Sequence, residues 1–202
     1  MRIMKADVIE QDASAARTPR ERLIDAASAL FCRYGINATG IDTVISEAGT
    51  AKTTLYKLFG SKEGLIEAVL EREGRLWREW FLKRVETSAA SGDGRVRQIF
   101  PALKEWFAQE RFFGCPFINA IGEHDKSEEK LRAITLQHKK QVLTQIESWA
   151  QAAGVKSPVE FSHQIGVLMD GAIVVAMITR DPSAADCAGA AASSLLHAYV
   201  AA

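Results

Sequence analysis

Lys52, Thr53, Thr54, Tyr56, Lys57 and Lys62 bring three ammonium groups, two hydroxyls and a phenol into eleven consecutive positions. None of these groups forms a nucleophile–base pair. What they share is the capacity to donate hydrogen bonds and positive charge. Lysines and hydroxyls reach phosphate oxygens, and a threonine can also meet a thymine methyl or a base edge. Tyr56 suits positioning on a sugar-phosphate backbone better than reading sequence. Outside a defined motif, the same residues would be an ordinary solvated helix face.

Other reactive side chains are scattered. Cys115 sits in a Gly114-Cys115-Pro116 turn, possible ground for a thiolate at a helix N-terminus and for sensing oxidants or electrophiles. Its simpler role is a small residue packed at a turn. Glu123, His124 and Asp125 are adjacent on a helix end and point in different directions, so no metal site is expected. A helical enzyme using Cys115 with His124 or His138 as base is the rival from another class, and no nucleophile–base pairing supports it. A plain helical interaction module is the second rival.

The stretch Thr39–Leu65 supplies the elements that would position the basic residues. Thr39 with Asp42 three residues on predicts a helix N-cap with an acid in its first turn. Ile41, Val44, Ile45 and Ala48 form a short apolar stripe, stopped by Gly49. A second short helix then carries the lysines and threonines around Leu55 and Leu58. Ala51 cannot cap it, so Thr50 is expected to do so, starting that helix one residue early. Two short helices joined by a glycine-containing turn can place the second in a DNA major groove.

Upstream, Thr18, Pro19 and Glu21 make an N-cap, a first-position proline and a capping box. Leu23, Ile24, Ala27, Leu30, Phe31 and Tyr34 follow at helical spacing, closed by Gly35. Residues 1–17 read as an N-terminal arm, 18–63 as a three-helix unit, and 64–202 as a larger helical domain. Ser61 caps a long fourth helix. Its two adjoining apolar lines, running from Leu65 and Ile66 to Val85, exceed what three helices can bury. A break at Ser91–Gly94 precedes a helical pattern from Arg95 to Gln109, which Pro101 is expected to kink or restart. Further helices are expected near Pro116, from Ser127, from Ser157-Pro158, and from Asp181-Pro182. The fold class is all-α, with nine helices.

The eighth helix is apolar nearly all round from Gly171 to Ile178, and the ninth carries Ala184, Ala188, Ala191, Leu195 and Tyr199. A helix apolar on every side needs cover on every side. A second copy supplying two equivalent helices would give it, making a homodimer with a four-helix interface.

Bulk properties fit a specific rather than an indiscriminate DNA reader. Twenty-five Lys and Arg balance twenty-five Asp and Glu, so only a local basic face is available. Three widely spaced cysteines form no disulfide framework and suit a reducing, cytoplasmic compartment. The mixed charge of the N-terminus excludes a signal peptide, and the strongly apolar run Gly171–Thr179 is too short to span a bilayer.

The segment from Thr18 to Leu70 resembles the N-terminal DNA-binding domain of TetR-family transcriptional regulators. TTLYKLFGSKEGL, Thr53–Leu65, is the most specific part of the match: Tyr56 and Phe59, a turn residue, then Ser-Lys-Glu and an apolar residue. The later GCPFINA segment is similar to one group of such regulators. This chain departs from the family at Thr50 and Ala51, where valine and serine often stand. The resemblance implies a dimeric repressor that binds a palindromic operator in double-stranded DNA and is released by a small-molecule effector. It implies DNA contacts from Thr39, Thr50, Lys52, Thr53, Thr54, Tyr56, Lys57 and Lys62. It also implies an effector cavity in the C-terminal domain. The aromatic residues Trp80, Trp106, Phe117 and Phe161 and the polar Asn119, His138 and Asp170 near apolar runs are its candidate lining, the alternative being that they simply belong to the core. No cofactor or metal is implied.

Overall fold

The computed structural model of the chain describes residues 17–124 and 129–201. Among them are nine helices and no strand: α1 (Pro19–Tyr34), α2 (Ile41–Ala48), α3 (Lys52–Phe59), α4 (Lys62–Ser88), α5 (Gly92–Phe107), α6 (Pro116–Glu123), α7 (Glu129–Ala152), α8 (Pro158–Thr179) and α9 (Ala184–Ala201). The expected arm falls on residues almost wholly outside this description, as do Asp125 and the expected start of α7 at Ser127.

The chain forms two compact units that do not follow its halves. The first takes the described residues within Met1–Trp77 together with Cys115–Thr135; the second takes Arg78–Gly114 and Leu136–Ala202. Thus α6, far along the sequence, belongs with the first three helices. The 27-residue α4 contributes residues to both units, as its wide apolar surface predicts.

In the first unit, α1 starts as its sequence requires. Thr18 Oγ1 accepts the Glu21 N–H at 3.2 Å, and the Glu21 carboxylate accepts the Thr18 N–H at 2.8 Å. The Thr18 N–H, and after it the Thr18 hydroxyl, which donates to the same carboxylate at 2.9 Å, hold the Glu21 carboxyl below its usual range. Leu23, Ile24, Ala27 and Phe31 form the buried side.

Two capping expectations fail. Gly40, not Thr39, caps α2. Thr39 turns inward, 4% exposed, and its hydroxyl donates to the Gly35 carbonyl at 2.7 Å. Ala51, not Thr50, occupies the cap position of α3, without a side-chain bond. Thr50 belongs to the end of α2 instead: its N–H closes on the Ile45 carbonyl at 3.2 Å, beyond the left-handed Gly49 at φ 58°. Its hydroxyl is sealed there with no partner among the described residues.

Ser61 does cap α4, its Oγ accepting the Gly64 N–H at 3.2 Å. Gly64 is dictated by packing: a methyl group there would stand 2.1 Å from the Phe59 carbonyl oxygen at the end of α3. A charged network ties α4 to α1. Arg72 donates to Asp25 at 2.7 Å and to buried Glu73 at 3.1 Å, and Ser28 Oγ donates to Glu73 at 2.8 Å.

In the second unit, α5 begins at Gly92, earlier than expected, because Ser91 caps it through the Gly94 N–H at 3.0 Å. Pro101 lies inside this single helix. Phe81 and Trp149, with ring centroids 6.2 Å apart, share the core with Ile99, Leu103, Ile146 and Ile165. The start of α9 moves to Ala184, since the Asp181 carboxylate accepts the Ser183 N–H at 2.8 Å and its hydroxyl at 2.7 Å, folding 181–183 as a turn.

By length and composition the 22-residue α8 could cross a membrane, which the shorter run counted in the sequence does not suggest. Here Phe161, Ile165, Met169, Ala172, Ile173 and Ala176 make one side of it a core face. Its other side stays open, with Val167 and Ile178 each 72% exposed.

Candidate nucleic-acid interface

Helix α3 hangs on one residue. Leu55 is fully buried. At 100° per residue, Thr53 and Lys57 point almost directly away from it. Lys52, Thr53, Tyr56 and Lys57 are exposed, Tyr56 to 45%, and Thr54 is half-buried at the flank. Opposite the leucine stand Thr53 and Lys57, flanked by Tyr56 on one side and Thr54 on the other, with Lys52 exposed at the first position of the helix.

The remaining predicted contacts are placed differently. Lys62 is half-buried, and its Nζ donates to the Ile36 carbonyl at 2.7 Å, fastening α4 to the α1–α2 loop. Thr39 and Thr50 have their hydroxyls turned inward, as described. The structure therefore leaves four of the eight predicted side chains exposed on α3, with Thr54 half-buried beside them. Lys52 is drawn sideways into an exposed ion pair with Asp42 at 3.0 Å, which raises its pKa. Both partners are accessible, so a phosphate can replace the carboxylate with little desolvation cost.

Charge over residues 17–63 favours an anionic partner: seven Lys and Arg against five Asp and Glu, an excess of two. Sequence reasoning passed over Arg20 and Arg22. Both are exposed cations in the first turns of α1, an unfavourable place beside a helix dipole, and that irregularity was the available signal.

Glu123 has a different role from metal binding. Its carboxylate accepts the Asn37 N–H at 2.9 Å, and its backbone carbonyl accepts Asn37 Nδ2 at 2.7 Å. The end of α6 is thereby clamped onto the α1–α2 loop. His124 closes its ring onto the Ala120 carbonyl at 2.9 Å. No group of three potential metal ligands occurs among the described residues.

Cys115 is the N-cap of α6, as expected, but is buried. Its neighbour Cys32 is pushed up to about 12, by desolvation first and then by Glu73 and Cys115.

The seven effector candidates divide between the units. Trp80, Trp106, His138, Phe161 and Asp170 lie in the second, whereas Phe117 and Asn119 lie on α6 in the first. Trp106 packs edge-on to Phe112 at 5.0 Å, and Phe161 edge-on to Tyr199 at 5.6 Å. Asp170 pairs with Lys139. His138 is buried with Nδ1 2.7 Å from Arg78 Nη1, so the neutral ring accepts from the guanidinium. Burial, then Arg78 and Lys139, depress its pKa to about 3. A cavity of about 270 Å³ opens between α5 and α9, lined by Val96, Phe100, Pro101, Ala185, Gly189 and Leu196 among others, and by none of the seven.

The arrangement of α2 and α3 recurs in known proteins. The pattern of bacterial regulatory proteins of the tetR family matches residues 23–69. An HTH-type transcriptional regulator of Mycobacterium tuberculosis is 30% identical over 147 residues, covering 59% of this chain and 72% of that one. The Escherichia coli HTH-type transcriptional repressor ComR is 40% identical over 101 residues, 50% of this chain and 48% of that one. The crystal structure of a TetR-family transcriptional regulator from Streptomyces coelicolor superposes with a TM-score of 0.82 at 26% identity, over 90% of this chain and 96% of that one. With the pattern lying on the helices that carry the exposed basic face, and likeness extending across both units, the chain belongs to the TetR family of DNA-binding transcriptional regulators.

Proposed function

We propose that the protein acts as a cytoplasmic homodimeric repressor, reading a palindromic operator with α3 and leaving it when a small molecule occupies the second unit. The observation that carries this reading is the open face of α3 opposite buried Leu55. Lys52, Thr53, Thr54, Tyr56 and Lys57 make the principal contacts, while Lys62 ties the start of α4 to the α1–α2 loop. Repression is favoured by the likeness to a named repressor.

Dimerisation is supported by the uncovered side of α8, where Val167, Val175 and Ile178 are exposed, and by small residues along the open side of α9, including Cys187, Ala190, Ala191 and Ser194. Paired recognition helices must match successive major grooves, roughly 34 Å apart. An effector that binds better to one spacing of the pair shifts the population away from the DNA-competent state. Trp80, Trp106, His138, Phe161 and Asp170 remain the proposed effector contacts; Phe117 and Asn119, in the first unit, are left out. The burial of Cys115 offers nothing in favour of thiol sensing. No cofactor is called for.

The test is selection of bound fragments from random DNA, followed by gel-shift titration of the selected site. A palindrome is expected, with Tyr56→Ala weakening binding at least tenfold while leaving the dimer intact. A site without twofold symmetry, or an unaffected Tyr56→Ala variant, refutes the arrangement.

A further inference from the structure

We infer that Arg20 and Arg22, on α1, form a phosphate clamp flanking the recognition helix, an extension of the DNA contact surface beyond α3. The inference rests on the DNA-binding reading and adds a second element to it.

The two guanidinium groups lie at opposite ends of α3. Arg20 stacks over Phe59, the last residue of α3, with its Cζ 5.5 Å from the ring centroid. Arg22 lies beside the turn that leads into α3: a methyl group added at Gly49 would stand 3.8 Å from its Nη1. An eight-residue helix is about 12 Å long, comparable with the roughly 12 Å width of the major groove. Cations at its two ends therefore fall towards the phosphate walls, while the middle of the helix faces the bases.

These charges are also available. Both side chains are exposed, and neither pairs with a carboxylate among the described residues. The nearby acids are engaged elsewhere. Glu21 is held by the Thr18 backbone and hydroxyl. Asp25 is bonded to Arg17 at 3.1 Å and to Arg72 at 2.7 Å. By contrast Lys52, on α3 itself, is partnered by Asp42.

Position in the helix argues for function over stability. Basic residues in the opening turns of a helix oppose its dipole, and Arg22, exposed and in no ion pair among the described residues, is a locally unfavourable choice of the kind that marks a functional position. Arginine fits phosphate with two parallel donors, and stacking on Phe59 holds the Arg20 fork in place.

The full-length protein and a 40-base-pair duplex of random sequence suffice for the test, because non-specific binding is carried by phosphates. Affinity is measured by fluorescence anisotropy across a potassium chloride series. Arg20→Gln/Arg22→Gln is compared with wild type, with Arg20→Lys/Arg22→Lys, and with a charge-matched control, Lys140→Gln/Lys156→Gln, whose residues are exposed in the second unit. The glutamine pair is expected to lower the slope of log affinity against log salt by about 1.8 per protomer, at about 0.9 per phosphate, with an unchanged or higher melting temperature. The lysine pair keeps the slope, and the control stays close to wild type.

An equal fall in the control would assign the effect to net charge and overturn the clamp. An unchanged slope in a folded glutamine pair would do the same. If that pair fails to fold, the single Arg22→Gln variant decides, measured in the same way: a fall of about 0.9 in the slope supports the clamp, and an unchanged slope overturns it. Wild-type protein without salt-dependent binding would overturn the DNA-binding reading itself, a separate outcome.

Discussion

At the scale of the residue, small features set the geometry of the reading face. Gly64 looks like an unremarkable helix position in Ser-Lys-Glu-Gly-Leu, yet it is where α4 passes the carbonyl end of α3. Gly64→Ala places a methyl group against the Phe59 oxygen, and overpacking of this kind costs about 1–3 kcal/mol. Urea denaturation should show that loss, and DNA affinity should fall with it, because α3 must move. His138 makes a prediction about pH. Its folded pKa is depressed to about 3, whereas an unfolded histidine takes up its proton near 6.5. Between those values the unfolded chain binds the extra proton, so stability rises with pH there and falls on acidification, by up to about 1.4 kcal/mol per pH unit. Melting temperatures followed from pH 7 to 4 should show a steeper acid decline for wild type than for His138→Leu.

At the scale of the element, legibility depended on how local the determinants were. The capping box of α1, the Ser61 cap and the glycine stops at Gly35 and Gly49 are chosen by residues within a few positions, and each was readable. Leu131, His138, Val142 and Trp149 fall on one face of α7 by their spacing of seven, four and seven residues, and all four are buried. Caps that depend on tertiary closure were not readable. Thr39 has the chemistry of an N-cap, but the Gly35 carbonyl competes for its hydroxyl. Thr50 could cap α3 only by leaving the end of α2, which its N–H completes. Nor could periodicity assign α6 to the first unit, because its anchor, Glu123 on Asn37, joins residues 86 positions apart. The helix α3 with its exposed basic residues was identifiable from its motif. The proposed part of α1 depends on tertiary placement, Arg20 on Phe59 and Arg22 beside Gly49, which no local pattern encodes.

At the scale of the whole molecule, the open side of α8 is the largest unfinished feature. Val167 and Ile178, one helical stripe apart by eleven residues, expose apolar side chains whose full burial is worth about 1.5–3 kcal/mol each. Val167→Arg/Ile178→Arg should convert a dimer into a folded protomer of 22.1 kDa, read by light scattering behind size-exclusion chromatography. Operator affinity should drop steeply with it, since one recognition helix then engages one half-site. If the variant keeps twice that mass, the twofold interface lies elsewhere.

The clamp between Asn37 and Glu123 has a consequence for how the protein is made. A ribosome releases the chain from its N-terminus, and α1, α2, α3 and the start of α4 emerge first. Their unit is still incomplete when Trp77 appears: Glu123 follows 46 residues later. At about 5–20 residues per second, that is a wait of roughly 2–9 s. Throughout it the Asn37 donors and the loop around Gly35 lack their partner. The reading head of the regulator is thus finished only after all of α5 and α6 have been translated, so a nascent or prematurely terminated chain lacks a completed DNA-binding unit.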